Sequence, residues 1–273
     1  MKPSRKSKRT AGKRKTSRRT PGRYWEIDAW RGVAIISMIV YHFTWDLWNF
    51  RLLPPDFNFF GGFWKYFQRF IAVSFLLLVG ISLTISYRSA VRRQGNAAGL
   101  FPKFLRRGLE IFGLGLIVTA VTYFMGVGTV HFGILQLIGV STILAYPLLR
   151  FRWLNFVLWM IFFAAGYFVY VAPIPVTNNY LLWLGLRTPT YNAVDYFPLV
   201  PWFGVVLLGV FLGNTFYGDK GRRFYLPDWG DLLPVRFLRF LGRHSLLIYM
   251  AHQVVLYVLT IFLSLAYYWW IGR

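Results

Sequence analysis

Seven apolar runs of about twenty residues divide this chain, near 27–49, 67–87, 106–125, 131–149, 153–172, 198–217 and 244–270. A run of that length is what a helix needs to cross a bilayer. The runs predict an all-α, polytopic integral-membrane bundle of about seven transmembrane helices. The last run is the longest and has room to tilt or break. Hydrophobic residues make up 56% and charged residues 15%, against roughly a quarter charged in a soluble chain. The absence of cysteine excludes disulfides, thiolate nucleophiles and Cys-ligated metals.

Orientation follows from the basic residues. Eleven Lys and Arg precede Tyr24. The same side collects Arg88, Arg92, Arg93, Lys103, Arg106 and Arg107, then Arg150 and Arg152, then Lys220, Arg222, Arg223, Arg236, Arg239 and Arg243. The other side holds only Arg51, Lys65, Arg69, Arg187 and Arg273, while Arg31 lies within the first run. The bias places the N-terminus in the cytoplasm and the C-terminus outside. Residues 1–23 read as a disordered basic cytoplasmic tail and 24–273 as the transmembrane domain. The tail is expected to lie against anionic lipid headgroups rather than nucleic acid, because a span follows at once. A cleaved signal peptide does not fit, since the first apolar run is too long and contains charge. The polar link 218–234 is expected on the cytoplasmic surface, and the outer link 173–197 is long enough to cover a site.

The first run carries the chemistry. At a hundred degrees per residue, Asp28, Arg31, Ile35, Met38, His42, Asp46 and Asn49 share about a quarter of the helix circumference. Ionisable groups in a membrane are costly and face a protein interior or a wet cavity. His42 and Asp46 stand four residues apart, so the carboxylate can orient the imidazole, an arrangement suited to a general base or a nucleophilic histidine. The alternative is a structural pair tying this span to its neighbours. Asp28 and Glu110 suit an ion-pair network between the first and third spans. Arg31 suits a phosphate.

His131 opens the fourth run with Gln136 below it, and His252 lies deep in the last run beside Tyr249 and Gln253. His244 sits at the inner interface, and Asn192 and Asp195 close the outer link. No HxxxH or HxH spacing occurs, so no metal is expected. Gly204, Gly209 and Gly213 include a Gly-x-x-x-Gly spacing, a signal for close helix approach.

Four strings resemble one known family in order. They are Glu26-Ile-Asp-Ala-Trp-Arg-Gly-Val-Ala-Ile-Ile-Ser-Met-Ile-Val40, Phe132-Gly-Ile-Leu-Gln-Leu-Ile-Gly139, Asp195-Tyr-Phe-Pro-Leu-Val-Pro-Trp-Phe-Gly204 and Leu241-Gly-Arg-His-Ser-Leu-Leu-Ile-Tyr-Met-Ala-His252. The set is similar to the heparan-alpha-glucosaminide N-acetyltransferase catalytic-domain family, in its small prokaryotic branch. The first string is also shared with wider membrane acyltransferase families. The resemblance implies transfer of an acetyl or similar acyl group from cytoplasmic acetyl-CoA or another acyl-CoA to an amine or hydroxyl outside, on a sugar or glycan acceptor. It also suggests a homodimer and a prokaryotic plasma membrane. Members use a histidine in the outer loop after the first span. The corresponding loop here, Arg51 to Tyr66, has none, and His42 is taken in its place.

The expected machinery is therefore as follows. His42 and Asp46 are catalytic. Arg31, Arg106, Arg107, Arg243 and His244 hold the donor. His131, Asn192, Asp195 and His252 contact the acceptor. His42 should line a cavity continuous with the basic cytoplasmic mouth. The rival readings are a transporter or channel using the same stripe and a non-catalytic component packed on a partner. The runs show no obvious inverted repeat of the kind many transporters have.

Overall fold

The computed structural model describes residues 23–272 except 127, 129, 173, 192, 194 and 220. Most of the basic tail, Asn192, Lys220 and Arg273 thus lie outside the described residues. Among the described residues eight α-helices follow in order: α1 Trp25–Asn49, α2 Gly62–Gln94, α3 Phe101–Phe124, α4 Ile134–Leu144, α5 Trp153–Val171, α6 Leu199–Phe216, α7 Leu233–Arg243 and α8 Ser245–Ile271. Two short ladders join them. Strand β1 (Val130–Phe132) runs parallel to β2 (Asp195–Tyr196), and β3 (Tyr217–Gly218) runs antiparallel to β4 (Gly221–Arg222).

Among the described residues four helices, α2, α5, α6 and α8, are long and apolar enough to cross a membrane. Both α1 and α3 have the length but carry ionisable residues, Glu26, Asp28, Arg31 and Asp46 on one and Lys103, Arg106, Arg107 and Glu110 on the other. The fourth expected run, 131–149, is divided between β1, the eleven-residue α4 and a 3-10 turn at Tyr146–Leu148. At 1.5 Å per residue α4 covers only ~16 Å, about half of a ~30 Å hydrocarbon core. Pro147 stands where the chain leaves the α-helix; its missing N–H and fixed φ account for the stop. The link before the last run is also more ordered than its polarity suggests. It contains the β3–β4 hairpin and α7, which is separated from α8 by His244 alone.

The helices meet where glycine lets backbones touch. A Cβ on Gly80 of α2 would strike the Val206 carbonyl of α6, and one on Gly209 would strike the Leu77 carbonyl of α2. Gly213 faces Thr84 of α2, whereas Gly204 turns to Phe162 of α5. The spaced glycines of α6 therefore serve two neighbours. Gly32 of α1 and Gly242 of α7 form a second such crossing, against the Leu238 and Asp28 backbones. Helix α6 is the centre of the bundle, with Phe203, Val206, Leu207 and Val210 buried among Leu76, Leu83, Phe104 and Leu137. On α5 only Asn155 is buried, and α3 and α8 also show large apolar side chains outward, among them Leu116, Phe163, Phe168 and Phe262. These outward faces suit lipid.

Candidate functional site

The polar stripe of α1 serves two cavities, one toward each end of the helix. Toward the Trp25 end lies a cavity of about 870 Å³, lined by Arg23, Tyr24, Asp28 and Arg31, by Ser82, Ser86, Ser89 and Arg93 of α2, and by Lys103 and Arg107 of α3. Five cations thus face one carboxylate. Arg31 donates from Nη2 to Ser82 Oγ at 2.9 Å and from Nη1 to Asp28 Oδ1 at 3.2 Å. Lys103 Nζ reaches Ser86 Oγ at 3.4 Å. Asp28 is buried and takes Arg23 at 3.0 Å and Arg243 of α7 at 3.4 Å as well. It therefore ties α1 to α7, not to α3. Glu110 pairs instead with Arg106 on its own exposed helix face at 2.8 Å, because an i, i+4 partner is nearer than anything across the bundle.

The five expected donor residues divide. Arg31 and Arg107 line the basic cavity. Arg106 is turned to the surface with Glu110. Arg243 meets Asp28 from α7, and His244 is exposed with its Nδ1 against the Phe240 carbonyl at 2.9 Å; neither lines the cavity. The residues not singled out beforehand are Ser82, Ser86, Ser89, Arg93 and Lys103. On α2 they repeat at i, i+4, i+7 and i+11, a single helical face, so the sequence held this signal.

The second cavity, about 370 Å³, lies toward the Asn49 end of α1. His42 and Tyr41 of α1, Gln68 of α2, Thr122 of α3, Asp195, and Tyr249, His252 and Gln253 of α8 supply its polar groups; Phe75, Ile117, Val118, Val121, Met250 and Val254 are among its apolar walls. The two imidazoles stand edge to face with ring centroids 4.9 Å apart. His42 Nδ1 meets the Met38 carbonyl at 2.9 Å, and His252 Nδ1 meets the Tyr249 carbonyl at 2.6 Å. A carbonyl only accepts, so each bond fixes the proton on Nδ1 and leaves the Nε2 lone pair as the basic atom. His252 Nε2 and Gln253 Oε1, both on residues of the cavity wall, are buried without a hydrogen-bond partner. Two buried acceptors in need of donors suit hydroxyl or amine hydrogens.

Asp46 does not orient His42. The side chain of His42 leans back one turn to Met38, as helical side chains do, while the fully buried Asp46 accepts from Gln253 Nε2 at 2.9 Å. Asp46 therefore fastens α1 to α8 and sets Gln253 next to His252.

Asp195 reaches the same cavity from the outer link. The parallel β1–β2 pairing sets Asp195 opposite Val130, and its Oδ2 accepts from the Ile134 N–H at 3.2 Å. A carboxylate at the start of α4 is favoured by the unpaired amides and the helix dipole. Burial pushes the Asp195 carboxyl up to about 6, and the Ile134 amide partly opposes this. His131, by contrast, sits on the outward side of β1 with Nδ1 3.0 Å from Tyr191 Oη, away from the cavity that its neighbour Val130 lines. Asn192 lies outside the described residues.

The two cavities share no lining residue. Between Arg31 and His42, ~16 Å along α1, Ile35 and Met38 are buried and pack with Ile71, Phe75 and Tyr249. The expected continuous passage is closed in this structure. No group of three or more His, Cys, Asp or Glu placed to hold a metal occurs among the described residues.

The fold and site define a helical membrane protein with a basic cavity at one end of a helix and a paired-histidine cavity at the other. The comparison with known families supplies the class of activity. The family described as heparan-alpha-glucosaminide N-acetyltransferase, catalytic, matches residues 23–254, and the chain belongs to it. Its class is that of multi-pass membrane acetyltransferases. Neither a curated relative nor a solved structure matches the chain.

Proposed function

We propose that this protein moves an acetyl or similar acyl group from acyl-CoA, with acetyl-CoA as the natural donor, to an amine or hydroxyl of a sugar acceptor across a prokaryotic plasma membrane. The observation that carries the reading is the opposite chemistry of the two cavities on one helix. Phosphates suit the basic cavity, where Arg31, Arg93, Lys103 and Arg107 supply charge-assisted donors and Ser82, Ser86 and Ser89 supply hydroxyls. The thioester would extend from there along α1 to the histidines. Its path runs through Ile35 and Met38, so donor binding must spread that packing. In this reading α1, α3 and the short α4 with its 3-10 turn join α2, α5, α6 and α8 as seven crossings, with the N-terminus inside. Membrane lipids and a second copy of the chain are its expected neighbours.

At the second cavity, the acceptor nitrogen or oxygen forms the new bond to the acyl carbon as the carbon–sulfur bond breaks. His42 Nε2 takes the acceptor proton and returns one to the departing CoA thiolate. His252 and Gln253 offer their free acceptor atoms to the acceptor's remaining hydrogens. The test is purified protein in vesicles, with CoA binding and labelled acetyl transfer measured together. Binding of CoA is expected, with release of the CoA thiol from acetyl-CoA only in the presence of an acceptor sugar. A protein that moves sugar or protons across the vesicle wall and never binds CoA would overturn the proposal in favour of a transporter.

A further inference from the structure

The histidine cavity is mostly apolar, and several of its walls are also outer surface. Ile117 and Val121 of α3 are 52% and 39% exposed, Val254 of α8 is 45% exposed, and Phe60 in the α1–α2 link is 65% exposed. An apolar interior is ordinary for a ligand pocket, but these walls are also outer surface. The exposed rim is mainly aliphatic and aromatic, on α3 and α8, whose outward faces suit lipid, and on the α1–α2 link. Gln68 marks the polar corner of the rim. Beside it on the outer turns of α2 stand Lys65 and Arg69, exposed and without a carboxylate partner among the described residues. They are two of the few cations on this side of the chain.

Building on the acyl-transfer reading, we infer that the acceptor is carried on a membrane lipid and slides into the histidine cavity sideways from the bilayer, between α3 and α8, its phosphate held near Lys65 and Arg69. The observation assigns each part of such a molecule a place. A lipid tail stays against Ile117, Val121 and Val254. A phosphate at the headgroup level meets two unpaired cations, whose stems can lie along apolar surface while their charges reach the interface. The sugar hydroxyl or amine enters a space of about 370 Å³, where His42 Nε2, His252 Nε2 and Gln253 Oε1 accept hydrogens. That volume lies at the lower end of the range for ligand pockets and suits one sugar unit.

The experiment uses the full chain in phosphatidylethanolamine–phosphatidylglycerol vesicles containing polyprenyl-phosphate glucosamine with a photoactivatable group in the first units of its tail. Free glucosamine serves as the water-soluble comparison. Crosslinking is expected within α3 and α8. It should fall at least tenfold when Ile117→Trp and Val121→Trp together fill the opening, with Val254→Trp as an independent block from the facing helix. Leu116→Trp adds the same bulk to the outer face of α3 away from the cavity and should change nothing. With labelled acetyl-CoA, the label should partition into the lipid extract, and the blocking variants should lose that product by the same factor. Equal acetylation of free glucosamine, crosslinking indifferent to the blocking variants, or a second copy of the chain crosslinked across this face would overturn the inference and leave acyl transfer standing. Crosslinking that obeys the variants without any consumption of acetyl-CoA would uphold the lipid access and overturn the transferase reading instead.

Discussion

The two cavities along α1 differ in how they treat charge. In the basic cavity cations outnumber anions, hydroxyls hold the guanidinium and ammonium groups, and Asp28 spreads itself over three arginines. In the histidine cavity the imidazoles hold their Nδ1 protons on helix carbonyls, and Asp46, fully buried on the same helix, is satisfied on one oxygen by the Gln253 amide. The first arrangement attracts an anion and grips it, since ion pairs near a surface are modest and screened until several act together. The second leaves free basic atoms in a mostly apolar setting, with the Asp195 carboxylate on its wall. Binding strength and chemistry are thus expected to be separable by mutation.

The largest break is at His42. His42→Ala should cut acetyl transfer by about 10²–10⁴-fold, the usual worth of a positioned base, while CoA affinity measured by titration stays within twofold. Loss of both together would erase the distinction between the cavities. His252→Ala should cost less in rate, about tenfold, because it removes an acceptor of the substrate's hydrogens and not the base. The reverse ranking would exchange the roles of the two rings. Arg31→Ala acts at the other end. Removing a charge-assisted partner worth about 1.5–3 kcal/mol should weaken CoA binding by roughly ten- to a hundredfold, more in low salt than in high, with the rate at saturating donor little changed. An unaltered CoA affinity would leave Arg31 as a structural partner of Asp28 and Ser82.

A smaller effect is expected from Asp46→Asn, a few-fold in rate, because asparagine keeps an acceptor for Gln253. The smallest concerns pH and Asp195. Its folded carboxyl, pushed up to about 6 by burial, binds a proton more readily than an unfolded one. The protein should therefore gain stability as pH falls from 7 through 6 toward the usual carboxylate range, the unfolded chain taking up its proton last. Thermal unfolding in detergent between pH 7 and 5 should show that rise, and Asp195→Asn should flatten it while keeping an acceptor for the Ile134 amide. The membrane direction of the comparison is open to a simple check. A reporter near Arg223 is expected to read inside and one after Arg273 outside, in keeping with the basic bias.

The sequence by itself determined the class of the molecule. Long apolar runs dictate helices in lipid, and the spacing of Asp28, Arg31, His42 and Asp46 dictates a shared face whatever the neighbours are, since the helical period is a local property. The family was legible for the same reason, in contiguous strings. The period also placed Ser82, Ser86, Ser89 and Arg93 on one face, although nothing local says which helix that face will meet. Only the tertiary structure decided partners. It gave Asp46 to Gln253 instead of His42, gave Asp28 to Arg243 across more than two hundred residues, and brought His252 against His42. It turned His131 outward and Asp195 inward through a three-residue strand too short to announce itself. It split the stripe into two cavities by filling its middle with Ile35 and Met38, which belong to the same face by period yet differ from their neighbours in what they can bury. Hydrogen bonds between distant segments depend on which backbones can approach. In this bundle that is set by glycine contacts such as Gly32 with Gly242, whose pairing no local pattern specifies.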